Sequence, residues 1–161
     1  DEGFCSESMA IIEYIDKLNS NRSLTATDPL QSAKIHELAR VLDLYLETPT
    51  RRHYGEIFFG GERDETAFKE ARPLIENGLK AVTQLTSFDP YLCGEFSYLD
   101  IIATQVFGYV APVCQAVYGW DVIAEVPGLQ AAMDLINARD AGKIVAADQA
   151  VALKAFQESQ G

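Results

Sequence analysis

Phe96-Ser97-Tyr98-Leu99-Asp100-Ile101, followed by the uncharged run IIATQVFGYVAPVCQAVYGW over residues 101–120, is the stretch on which the fold turns. Ser97 and Asp100 stand three apart, just before an apolar segment. That is the spacing of a helix capping box, with Asp in place of the usual Glu or Gln. The Ser97 hydroxyl is placed to accept from the Asp100 N–H. The Asp100 carboxylate is placed to reach back to the Ser97 N–H, so two donors orphaned by a helix start find partners. Phe96 and Ile101 fall at the two positions of a hydrophobic staple. A helix apolar all round must be enclosed by protein or by lipid. The run has the length of a membrane span, about 20 residues. Thr104, Gln105, Gly108, Pro112, Gln115 and Gly119 interrupt it, however, and its flanks Asp100, Asp121 and Glu125 are acidic. A cytoplasmic anchor has basic flanks. The expectation is a central buried helix with the other helices packed around it, and no membrane span.

The chain has 161 residues, 48% of them hydrophobic, enough for a substantial core in one domain or one domain plus a remnant. Thirteen basic against 24 acidic residues leave a net charge of −11. Nucleic-acid backbones and anionic bilayers would be repelled, which argues against both as partners. Cys5, Cys93 and Cys114 are odd in number and widely spaced. They form neither a disulfide framework nor a zinc site, and a reducing, cytoplasmic setting fits them best.

Working outward, Asp1-Glu2-Gly3 reads as a turn and Phe4-Cys5-Ser6 as a short strand leaving it. A helix opens at Ser6, Glu7 and Ser8, with Met9, Ile12 and Ile15 on one face, and ends near Leu18. Residues 19–27 read as a polar linker. Asp28-Pro29 starts the next helix, with Asp as N-cap and Pro as first residue. Its apolar stripe is Ile35, Leu38, Val41, Leu42 and Tyr45; its wet face is His36, Arg40, Asp43 and Glu47. Thr48-Pro49 ends or bends it. Residues 51–61 are irregular, aromatic and Gly-rich. Helical spacing returns from Asp64, with Pro73 kinking that helix or marking its true start. A loop over 86–96 leads to the central helix. Pro127 opens a further helix through Arg139, and Asp140-Ala141-Gly142 is a turn. A last helix runs over 143–158, with Ile144, Val151 and Phe156 inward. The architecture expected is an all-α bundle around the central helix, residues 28–161. It is preceded by residues 1–18, the end of a mixed domain, and by the linker 19–27.

Spacing alone shows no Gly-rich phosphate loop, HExxH or GxSxG motif. His36 and His53 lack grouped partners for a metal. Arg51-Arg52-His53 reads as a basic turn or an anion site. Tyr54, Phe58 and Phe59 read equally as a pocket lining or as the lid of the core. Glu7-Ser8 places a carboxylate and a hydroxyl at a helix N-terminus. The N–H groups and dipole there suit a carboxylate, and Glu7 suits an ammonium, a pair that matches a free α-amino-acid head group. The plainer alternative is a simple N-cap.

DEGFCSESMAIIEYI resembles the end of the thioredoxin-like domain of cytosolic glutathione S-transferases. GEFSYLDIIA resembles the capping box in that family's helical C-terminal domain, and VPGLQAAMDLINAR resembles its next helix. The three segments occur in the family's order. The resemblance implies that Glu7 and Ser8, with Ser6 beside them, hold the γ-glutamyl end of glutathione. It implies a cleft for a small electrophile near the end of the second helix, with Tyr45, Arg52 and Tyr54 as candidates. Ser97 and Asp100 carry over as folding residues, and no metal is implied. A cytoplasmic homodimer through the helices starting at Asp28 and Asp64 is implied as well. The family's thiolate-stabilising Tyr, Ser or Cys lies on earlier strands. The expectation is therefore that the sequence lacks the catalytic N-terminal segment and belongs to a larger transferase. The alternative is a non-catalytic helical interaction module of the kind found in translation factors and synthetase complexes.

Overall fold

The computed structural model describes residues 3–18 and 23–159. The turn expected at Asp1-Glu2-Gly3 and the linker residues 19–22 lie largely outside them. The elements are α1 (Ser8–Leu18), α2 (Pro29–Val41), a π-helical segment (Leu42–Glu47), α3 (Thr48–Arg51), α4 (Tyr54–Phe58), α5 (Glu65–Leu85), α6 (Tyr98–Tyr118), α7 (Leu129–Asn137) and α8 (Asp140–Ser159). Among the described residues there is no strand, so the architecture is all-helical.

Residues 4–6 are irregular rather than a strand, and Phe4 is fully exposed. A strand needs a neighbour to take its backbone hydrogen bonds. None lies beside this segment among the described residues.

The capping box of α6 is present. The Ser97 N–H donates to Asp100 Oδ2 at 2.8 Å, and the Ser97 hydroxyl lies 3.2 Å from the same oxygen. The other carboxylate oxygen accepts from the Leu92 N–H at 2.8 Å, a bond that ties the preceding loop to the helix start. Asp100 is fully buried. Burial pushes its carboxyl above the usual range, against the opposing pull of the Leu92 and Ser97 bonds.

By length and composition α6 is a helix that could cross a membrane. In the bundle its Leu99, Ala103, Val106, Phe107, Val110 and Cys114 are core residues. It is not dry all round: Ile101, Gly108, Tyr109, Pro112 and Ala116 share an exposed stripe. That stripe explains how Pro112 fits inside the helix. The carbonyl it deprives of a donor belongs to Gly108, which also faces water. Pro73 in α5 and its counterpart Lys69 are exposed in the same way, so Pro73 is interior and the helix starts at Glu65.

The second helix does not end at Thr48-Pro49. It changes register through the π segment, where the Thr48 N–H bonds the Asp43 carbonyl five residues back, and continues as α3. The Tyr45 carbonyl, four residues before Pro49, is turned toward Gly78 of α5. A Cβ at Gly78 would lie 2.9 Å from that oxygen and 2.7 Å from a Leu46 methyl, so the approach requires glycine. Leu46, not Tyr45, completes the buried stripe; Tyr45 is 46% exposed.

Pro127 lies in the turn before α7, which opens after Gly128 with φ 93°. Residues 140–142 form the first turn of α8 rather than a separate turn. Ile144 and Val151 face solvent at 63% and 70% exposure, contrary to the inward placement expected, and only Phe156 is partly covered, against Phe59. The helix meets α6 through a Gln149–Gln105 bond of 2.7 Å. Ile144 and Val151 lie on the side of α8 turned to solvent.

Candidate functional site

Ser8 is the first residue of α1, and Glu7 before it has φ 70°. A non-glycine residue rarely takes that conformation, and such strain concentrates at sites of function. The Glu7 carbonyl accepts from the Ile11 N–H at 3.0 Å, so Glu7 stands at the cap position. The free N–H groups of the first turn point away from the helix toward its N-terminal end.

That end opens onto a cleft of about 410 Å³. Glu7, Ser8, Met9 and Ala10 form one wall. The other comes from α2, the π segment and α3, and carries Arg40, Asp43, Glu47 and Arg51. Ile102 and Val106 of α6 add apolar surface. The far wall is the wet face of the second helix. It stays wet because it fronts the cleft, and the π segment carries Asp43 and Glu47 into it.

The charges along this wall are paired. Arg51 Nη2 donates to Glu47 Oε1 at 2.6 Å, and Arg40 Nη1 to Asp43 Oδ2 at 2.8 Å. The bond to Glu47 raises the Arg51 pKa further. The two walls are also linked across their base, with His36 Nε2 3.3 Å from Glu13 Oε1.

Glu7 and Ser8 thus stand in the cleft wall, while Ser6 is exposed and does not line it. Tyr54 does not line the cleft; it stands near Glu47 and Arg51, packed edge-on against Phe58. Burial raises the Tyr54 pKa, and Glu47 adds to the shift. Tyr45 and Arg52 do not line the cleft either. Tyr45 faces α5, and Arg52 Nη2 bonds Glu70 Oε2 at 3.0 Å. The arginine in the cleft is its neighbour Arg51. A usable sequence signal existed: Arg40, Asp43, Glu47 and Arg51 follow one another at helical spacing on the wet face.

His53 is buried and bonded at both nitrogens, to Glu56 at 2.9 Å and to the Tyr118 hydroxyl at 2.8 Å. That hydroxyl donates to the Phe68 carbonyl at 3.2 Å. His53 therefore joins α4, α5 and α6 as a structural group. Among the described residues no cluster of His, Cys, Asp or Glu could hold a metal ion.

No family model matches the chain. It is 29% identical over 159 residues to a glutathione S-transferase of Pseudomonas putida, covering 98% of this chain and 72% of the relative. Its fold is similar to the crystal structure of maleylpyruvate isomerase from Pseudomonas aeruginosa, with a TM-score of 0.66. That match is 20% identical in sequence and covers 86% of this chain and 72% of the other. The capping box, the helix order and the sequence match over 98% of the chain agree in their likeness to the glutathione S-transferase of Pseudomonas putida.

Proposed function

We propose that the chain serves a glutathione-dependent enzyme that transfers the glutathione thiolate to a small electrophile. The observation that carries this reading is the strained Glu7 at the start of α1, facing a polar cleft. The α-carboxylate of the γ-glutamyl group would take the first-turn N–H groups of α1 and the Ser8 hydroxyl, where the helix dipole favours an anion. The α-ammonium would take the Glu7 carboxylate. The electrophile would lie farther along the cleft, between the α6 surface at Ile102 and Val106 and Arg51. No thiolate-stabilising group is assigned to residues 3–159. A docking module without catalysis would need no anion-binding helix start beside a cleft, and both relatives described above carry enzyme names.

The cleft is also consistent with a homodimer assembled through the outer faces of α2 and α5. Leu44, Tyr45 and Leu74 are large apolar side chains left more than two-fifths exposed on these elements and the π segment. Light scattering on the purified protein tests that assembly.

The binding role is tested by titration calorimetry with glutathione. Replacing Ser8 by Ala removes a hydrogen bond to a charged group, so affinity should fall by about 1–3 kcal/mol, roughly 5- to 150-fold. Unchanged affinity in Ser8→Ala and in Glu7→Gln would remove Glu7-Ser8 from the site.

A further inference from the structure

A second cavity, of about 460 Å³, lies on the other side of the molecule's α6 stripe, between α6, the end of α7 and the start of α8. Its volume falls in the range of small-molecule sites, about 300–1,000 Å³. Its walls are mostly apolar, including Phe96, Ile101, Ile136 and Val145. Among the lining residues one is charged, and it is a cation, Arg139.

That cation stands out in a chain of net charge −11. The Arg139 guanidinium lies 3.9 Å from the centroid of the Phe96 ring. Among the described residues no carboxylate comes within ion-pair distance of it. A guanidinium stacked on an aromatic keeps its edge donors free for a planar anion. The first turn of α8 adds to this: Ala141 and Gly142 line the same cavity, so the positive end of a 20-residue helix borders it. Asp140 in that first turn is fully solvent-exposed and lies 3.9 Å from Lys143 Nζ, and it does not line the cavity. Gly142 is needed for the arrangement. A Cβ there would collide with the Ile136 carbonyl, so glycine lets α8 start against the end of α7.

An apolar chamber with one unpaired cation at its edge is complementary to a ligand that is apolar with one anionic end. We propose that this cavity binds a monomeric medium-chain carboxylate, its head on Arg139 and its chain between α6 and α8. The site is separate from the Glu7–Ser8 cleft: the two share no lining residue.

The test is calorimetric titration with octanoate, decanoate and decan-1-ol below their aggregation limits, with circular dichroism to confirm that each variant is folded. Decanoate should bind one per chain. Octanoate should bind roughly tenfold more weakly, as two fewer buried methylenes require. Arg139→Gln should weaken decanoate at least tenfold and leave decan-1-ol unchanged. Val145→Trp, which fills the chamber without touching the cation, should abolish both. The proposal is overturned by decanoate that fails to bind, by equal affinity in Arg139→Gln, or by binding that survives Val145→Trp. Competition between decanoate and glutathione would overturn it too, placing the ligand in the other cleft. So would decanoate uptake that appears only as chains associate in light scattering, which would make the cavity a contact between copies.

Discussion

Replacing Asp100 by Ala tests the helix start most directly. The carboxylate accepts two buried backbone N–H groups, from Ser97 and Leu92, each at 2.8 Å. Alanine leaves both without a partner at a site closed to water. An orphaned buried donor costs about 1–3 kcal/mol. Two of them total roughly 2–6 kcal/mol. Part of this is returned, because the variant no longer buries a charge, and burial is the largest influence on the Asp100 carboxyl. The expected net loss is about 3 kcal/mol, or about 6–12 °C in Tm for a chain of this size. Urea unfolding followed by circular dichroism measures it, read at constant m-value so that the change belongs to the native state. The same residue has a pH signature. Its folded pKa lies above its unfolded one, so in the window just above the unfolded value the native state holds more protons. Stability contributed by this group therefore falls as pH rises through that window, and the difference between wild type and Asp100→Asn isolates the effect. A loss under about 1 kcal/mol in Asp100→Ala would refute the claim that Asp100 holds two buried donors.

The Tyr98 hydroxyl is buried without a hydrogen-bond partner, and burial pushes its phenol up to about 12. Tyr98→Phe removes an unsatisfied group and should raise stability by about 1 kcal/mol; a lower Tm would show that the hydroxyl is bonded. Gly78→Ala puts a methyl against the Tyr45 carbonyl and Leu46, so the overpacking cost of about 1–3 kcal/mol should exceed the helix-propensity gain of about 1 kcal/mol. A more stable variant in thermal melts would contradict the close approach of α5 to the π segment. Burial opposes the charge on Asp16, but bonds from Leu24, Thr25 and Ser23 outweigh it and hold its pKa down. Its contribution is present above the unfolded pKa and lost as pH falls through the folded one, so Asp16→Asn should flatten the acid limb of a stability–pH curve. Identical acid limbs would show that the 23–25 loop is not held through this carboxylate.

Local chemistry decided much of this fold before any tertiary contact was considered. The serine–aspartate box, the Asp28-Pro29 start and the apolar spacing of 64–85 are short-range signals, and each marks a helix that forms. The likeness to glutathione S-transferases was legible for the same reason, since capping sequences are read within a few residues. Glu7-Ser8 was legible as a helix start, because a cap is set within one turn of backbone.

Other features depended on what lies across space. Pro49 reads as a stop or a bend, yet the chain passes it in a π register, and the Tyr45 carbonyl there packs close to Gly78 on α5, more than thirty residues away. Arg51 and Arg52 are adjacent in sequence but diverge by about 100° around the helix, so one meets the cleft and the other meets Glu70. Ile144 and Val151 look like core residues on α8, but they stay 63% and 70% exposed because no element packs over that face of the helix among the described residues. Periodicity states which side chains share a face; only packing states whether that face meets protein, a cleft or water.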